Sequence, residues 1–179
     1  MILIDPTIPA TALASQGFLI YVAAATLENP GPFKDAESSF AWLVADGGGK
    51  ELCRGPSALR QSRIMGDHTK ALFPALLVAL DKVPDGCHVE VRSDVKHFVD
   101  LLNGSAEARR KACYRRKDRR PLADAENLRE LDDVLEARHI AISARYVPDD
   151  DKDHHMSWVK SWASEVARNL HSDASSWNL

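Results

Sequence analysis

Tyr21-Val22-Ala23-Ala24-Ala25-Thr26-Leu27-Glu28-Asn29-Pro30-Gly31-Pro32 carries an apolar segment straight into a proline–glycine turn. Residues 17–26 hold aromatic, branched and small apolar side chains and no charge, which reads as a buried strand. Asn29-Pro30-Gly31-Pro32 supplies the turn chemistry. Beyond it, residues 39–46 include Phe40, Trp42 and Val44 and predict a second strand. Gly47-Gly48-Gly49 then predicts a hairpin turn into a third strand over 50–54. The front of the chain is therefore expected to be three antiparallel strands.

After these strands the apolar spacing changes. Leu72, Leu76, Ala79 and Leu80, broadened by Leu77 and Val83, predict a helix over 67–83. Pro74 lies inside it and would cost about 3 kcal/mol unless the helix kinks or starts late. Pro84-Asp85-Gly86 turns the chain into a strand over 87–92, with Val89 and Val91 on one side and Ser93-Asp94 at its end. Helical spacing resumes over 95–102 until Asn103-Gly104 stops it. A long amphipathic helix is expected over 121–139 and a strand over 140–147. Pro148 opens the acidic loop 149–153, and a final helix carries Trp158, Trp162 and Val166. The order βββαβαααβα predicts an α/β fold, a mixed five-stranded sheet with helices on both faces. The expected organisation is an extension over 1–16, one domain over 17–170 and a polar tail over 171–179.

The 179 residues carry a net charge of -3, with 45% hydrophobic and 27% charged residues, ordinary values for a globular chain. No apolar run approaches the roughly 20 residues of a membrane helix, and the N-terminus lacks a basic leader. Cys53, Cys87 and Cys113 form neither a zinc pattern nor a disulfide framework, which suits a reducing cytoplasm. Charge is concentrated over 105–120, where eight basic and two acidic residues give +6 and leave -9 for the rest of the chain. Such a block is either a solvated face or an element that binds phosphate.

These residues together resemble type 1 ribonuclease H. The resemblance covers roughly 18–169. It rests on the Asn29-Pro30-Gly31-Pro32 turn, the helix core Ala75-Leu76-Leu77-Val78-Ala79-Leu80, the strand end Val91-Arg92-Ser93-Asp94-Val95, and the stretch 114–127, similar to the family's basic protrusion and its return. It implies a cage of four carboxylates holding two Mg2+ or Mn2+ ions about 4 Å apart on a phosphodiester. Counted from these motifs, the first-strand position falls on Ala23, the first-helix position on Leu72, the fourth-strand position on Asp94, and the last-helix position on Ser164 or Lys160. Only Asp94 is acidic. The resemblance therefore implies a retained substrate surface with hydrolysis lost or strongly impaired, and no cofactor. Mg2+ or Mn2+ would be needed only for residual activity.

The implied nucleic-acid contacts are Asn29, His68, Thr69 and Lys70, near the turn and first helix, and the protrusion residues Arg109, Arg110, Lys111, Tyr114, Arg115, Arg116, Lys117, Arg119 and Arg120. Arginine forks match phosphate oxygens. The implied partner is an RNA/DNA hybrid or duplex RNA, with a protein partner also possible and no membrane. Two other functions stay open. The chain is an active metal-dependent endoribonuclease if Glu28, Asp153 or Glu165 rebuild a site beside Asp94, or a protein-interaction scaffold if the +6 block docks on an acidic protein. Read without the resemblance, Asp94 would cap the helix after it, the 149–153 acids would lead into a helix N-terminus, and Trp158 and Trp162 would be core. Trp177 would be a lone aromatic able to dock on a partner.

Overall fold

The uncharged segment Gly17–Thr26 forms the central strand, β1. A computed structural model describes residues 17–26, 37–55, 63–65, 68–148 and 151–175. The extension 1–16, Glu28, the Asn29–Pro32 turn, the His68 side chain, Asp149, Asp150 and Trp177 lie outside the described part of the chain. Strands β2 (Glu37–Asp46), β3 (Glu51–Gly55) and β4 (Arg63–Met65) precede helix α1 (His68–Leu80). Then come β5 (His88–Ser93), α2 (Lys96–Leu102), α3 (Ala106–Lys111), α4 (Ala125–Ala137), β6 (Ala141–Tyr146) and α5 (His154–Ser175).

The sheet order is β3-β2-β1-β5-β6. β1 pairs antiparallel with β2 and parallel with β5, and β5 pairs parallel with β6. This is the expected mixed sheet, with one addition. The three-residue β4 pairs with Glu37–Ser39 at the far end of β2, on the edge β3 also uses. Gly55 ends β3 beneath Trp42, where a Cβ would come within 2.6 Å of the indole, so only glycine fits.

Period-two alternation in the strands builds two cores. Phe18, Ile20, Val22, Phe40, Trp42, Val44, Val89 and Val91 face α1, α2 and α4. α1 is apolar almost all round, burying Ala71, Leu72, Phe73, Ala75, Leu76, Ala79 and Leu80. Its C-terminal end is closed by Arg138, whose guanidinium donates to the carbonyls of Leu80 (2.7 Å) and Val83 (2.6 Å). On the opposite face, Tyr21, Ala23, Ala41, Leu43 and Ala45 meet Val147, Met156, Val159 and Ala163. The small side chains on this face let α5 lie close to the sheet, and the Ser39 hydroxyl donates directly to the Ala163 carbonyl at 2.7 Å.

α5 runs to Ser175, into the residues expected as tail, and two helix starts differ from expectation for physical reasons. The long helix begins at Ala125 rather than 121, because residues 121–124 close a hairpin: Pro121 bridges Arg115, the Leu122 amide donates to the Tyr114 carbonyl at 2.9 Å, and Asp124 takes φ +58°. Asp94 does not cap α2. The N-cap is Val95, without a side-chain bond, and it is the Ser93 hydroxyl that accepts from the Val95 amide. The exposed edge of β6 is partly blocked by Asn103, whose side-chain amide bonds both the carbonyl and the N–H of Ala144 at 2.9 Å.

Candidate nucleic-acid interface

The parallel register pairs Tyr21 with Arg92. The ladder ends there, with Ala23 two residues further along β1 and Asp94 just past the end of β5. Ala23 is 1% exposed within the α5-side core, and Leu72 is 0% exposed on the other side of the sheet. Of the two last-helix positions, Lys160 is the one at Asp94, with its Nζ 3.1 Å from Asp94 Oδ2. Ser164 lies one turn further along α5.

These residues do not fit a magnesium ion. Mg2+ needs oxygen ligands in octahedral array, whereas the positions considered offer a methyl, an isobutyl and one carboxylate already paired with an ammonium. Two unit charges about 4 Å apart interact by about 4 kcal/mol at an effective dielectric near 20, so the ammonium would oppose a divalent ion by roughly twice that. Among the described residues no group of three His, Cys, Asp or Glu side chains could hold a metal ion.

Asp153, just before α5, fixes where that helix begins. Its Oδ1 accepts from the amides of His155 (3.0 Å) and Met156 (3.2 Å), and its Oδ2 accepts from Arg92 at 3.1 Å. Arg92 also donates to the Tyr21 hydroxyl (2.9 Å) and to Glu90 (2.7 Å). Burial disfavours an ionised Asp153, but the hydrogen bonds from Met156, Arg92, His155 and Tyr21 outweigh it and hold the carboxyl below its ordinary value. Burial, more than any neighbouring charge, pushes the Tyr21 phenol up. The His155 ring donates through Nε2 to the Gly49 carbonyl at 2.8 Å, tying the same turn to the β2–β3 hairpin. The alternation of Val89 and Val91 with Glu90 and Arg92 is the sequence signal for this cluster, because it turns the two charged residues toward α5.

The basic block splits into an inner and an outer half. Ser105 caps α3, accepting from the Ala108 amide at 3.2 Å. Arg109 forks onto the buried Asp132 and donates to the carbonyls of Leu101 (3.0 Å) and Gly104 (2.7 Å). Arg110 binds the Asp132 carbonyl (2.9 Å) and pairs with Glu136 (2.7 Å), and Lys111 pairs with Glu107 (2.6 Å). Tyr114 is 5% exposed and donates to Asp132 at 3.1 Å, with Arg129 over its ring. These groups fasten α3 to α4, so Arg109 and Tyr114 have little surface left for a ligand.

Residues 115–120 are all exposed. They form a tight hairpin in which the Arg116 amide donates to the Arg120 carbonyl at 2.8 Å and Arg119 takes φ +65°. Arg120 lies 3.7 Å from Asp118. Arg116, Lys117 and Arg119 have no acidic partner among the described residues. Between this hairpin and the first turn of α1 lies an open cleft of about 570 Å³, lined in part by Lys70, Arg115, Asn127 and Arg129. Thr69, beside Lys70, is half-buried.

Comparison with solved structures places this architecture. The structure of LC11-RNase H1, isolated from compost by a metagenomic approach, superposes with a TM-score of 0.61 at 17% identity, over 86% of this chain and 97% of that one. The fold is ribonuclease H-like. A foamy viral protease-reverse transcriptase, solved in complex with an RNA/DNA hybrid, matches at TM-score 0.59 and 16% identity over 91% of this chain, which spans only 21% of that longer one. In sequence, the chain resembles a curated protein named Ribonuclease H from Anaeromyxobacter sp. (strain K), 29% identical over 142 residues, 75% of this chain and 69% of the relative. No family model matches. No helix among the described residues is long and apolar enough to cross a membrane.

Proposed function

We propose that this ribonuclease H-like chain binds nucleic acid, an RNA/DNA hybrid or duplex RNA, and no longer hydrolyses it. The observation that carries the reading is the cleft joining Lys70 of α1 to Arg115 of the basic hairpin. Lys70 and Arg115, far apart in sequence, line one concave face with Arg129 and with the acidic Asp124 and Glu126, and Arg116, Lys117, Arg119 and Arg120 are exposed on the same hairpin as Arg115. Such an array suits a polyanion tracked along its backbone rather than a compact anion. The hybrid found with the foamy viral neighbour supports this choice of partner.

The loss of hydrolysis follows from the ligand positions. With Ala23, Leu72 and Lys160 at three of them, these positions offer no group to bridge two cations or clamp the attacking and leaving oxygens. Asp153 is no substitute, since its oxygens are occupied by Arg92 and the α5 amides. Binding then belongs to the 17–170 domain and requires no cofactor. The three free cysteines suit the reducing cytoplasm in which we place the protein.

The test uses one labelled hybrid and one protein sample, with binding and cleavage read with EDTA, Mg2+ or Mn2+. Binding that weakens with salt, with the strands intact in every buffer, is expected. Cleavage that disappears in Asp94→Asn would instead establish an active enzyme.

A further inference from the structure

We propose that Lys160 is a tethered replacement for a metal ion, its ammonium seated on Asp94 and contacting a phosphate of the bound strand. The inference rests on the nucleic-acid reading above and adds to it the chemistry of one pocket.

Three observations lead there. First, the pair is not sealed in the core: the Lys160 and Asp94 side chains are 33% and 23% exposed, and their polar atoms are 3.1 Å apart. Second, Lys160 lines a cavity of about 230 Å³ with Pro148, Asp151, Met156, Ser157 and Ser161, so there is room for a ligand group beside it. Third, two carboxylates described beside it are already paired. Asp94 is opposed by Lys160, and Asp151 has Arg145 at 3.9 Å.

The physical consequence concerns the backbone phosphate. Four clustered carboxylates repel a phosphodiester until divalent cations screen them. Here two positions are hydrocarbon and a third is cationic, so the repulsion is absent and no ion is needed to remove it. An ammonium is a compact donor suited to one phosphate oxygen. Asp94 acts on Lys160 as a positioning residue, holding Nζ at the sheet end. The Arg92–Asp153 lock at the first turn of α5 sets the helix from which Lys160 projects.

The experiment compares wild type, Lys160→Met, Lys160→Arg, Lys160→Asp and Arg115→Glu/Arg116→Glu/Arg119→Glu by fluorescence anisotropy on one hybrid, in EDTA and in Mg2+, with thermal melts to confirm folding. Wild type is expected to bind in EDTA and to gain nothing from Mg2+, which competes for the phosphates like any cation. Lys160→Met should lose about tenfold, as for one charge-assisted hydrogen bond, and its salt slope should fall by about 0.9. Lys160→Arg should restore most of the affinity. Lys160→Asp should bind weakly in EDTA, improve in Mg2+ and take up Mn2+ by calorimetry, which wild type should not. A wild type that needs Mg2+, or a Lys160→Met that binds with wild-type affinity and slope, overturns the proposal. If the triple variant alone loses binding, Lys160 has no part and the nucleic-acid reading stands. If no protein binds any duplex, that reading fails and the phosphate contact fails with it.

Discussion

Asp132 illustrates how one side chain can redirect a charged segment. It sits in the apolar stripe of α4 beside Leu128, Leu131 and Leu135 and is 1% exposed. A carboxylate there is tolerable because Arg109 and Tyr114 bind its oxygens. Removing it leaves a guanidinium, 11% exposed, facing the interior with no counter-charge. Asp132→Ala is therefore expected to cost about 3–5 kcal/mol, the usual range for breaking a buried ion pair from one side. Urea unfolding at neutral pH measures it, and a loss below about 1 kcal/mol would mean that the pair does not anchor α3. The +6 run was legible in the sequence, but the division between Arg109 and Arg116 was not, because the partner that separates them lies on another helix. The one available signal was an aspartate inside an apolar stripe.

Among the elements, the strands were the most legible. β1 carries no charge, and its alternation assigns each side chain to one of two faces. β4 was missed because three residues supply too little periodicity to read, and its pairing with β2 is long-range. The start of α4 was misplaced for a related reason: Leu122 continues the helical stripe in sequence, yet its amide is held by Tyr114 across the hairpin. α5 was expected from its apolar spacing, and its anchoring by Asp153 can be tested through pH. The folded Asp153 carboxyl titrates below its ordinary value. Its stabilisation is thus fully present above the unfolded value near 3.9 and is lost as pH falls through the depressed folded value. Asp153→Asn keeps a cap acceptor but loses the charge that faces Arg92 and the helix N-terminus, and should cost about 1 kcal/mol at pH 7. The two proteins should converge in melting temperature as pH drops below about 4. A constant gap from pH 7 to pH 2 would show that the charge of Asp153 contributes nothing.

Across the whole molecule, the function proposed above separates fold from chemistry. The sheet order is that of a ribonuclease H-like fold, while the positions that the family resemblance would assign to metal ligands carry a methyl, an isobutyl and an ammonium. In the sequence a count back from the turn gives Ala23, while the choice between Lys160 and Ser164 depends on a loop length; in the structure it is Lys160 that pairs with Asp94. What the molecule retains is a charge asymmetry. A net charge of -3 would slow its approach to a polyanion if spread evenly, but the outer cations are gathered on one hairpin. Electrostatic steering of a polyanion is then expected to favour that end. If the hairpin is the grip, reversing Arg115, Arg116 and Arg119 removes up to three phosphate contacts, and the slope of log affinity against log salt should flatten by about 2.7 units. Arg109→Lys, at a site already committed to Asp132, should leave the slope unchanged while lowering thermal stability. Anisotropy titrations from low to moderate salt separate the two. A triple variant that keeps the wild-type slope would move the interface elsewhere, because counterion release reports the number of phosphates neutralised whatever the sequence of the duplex.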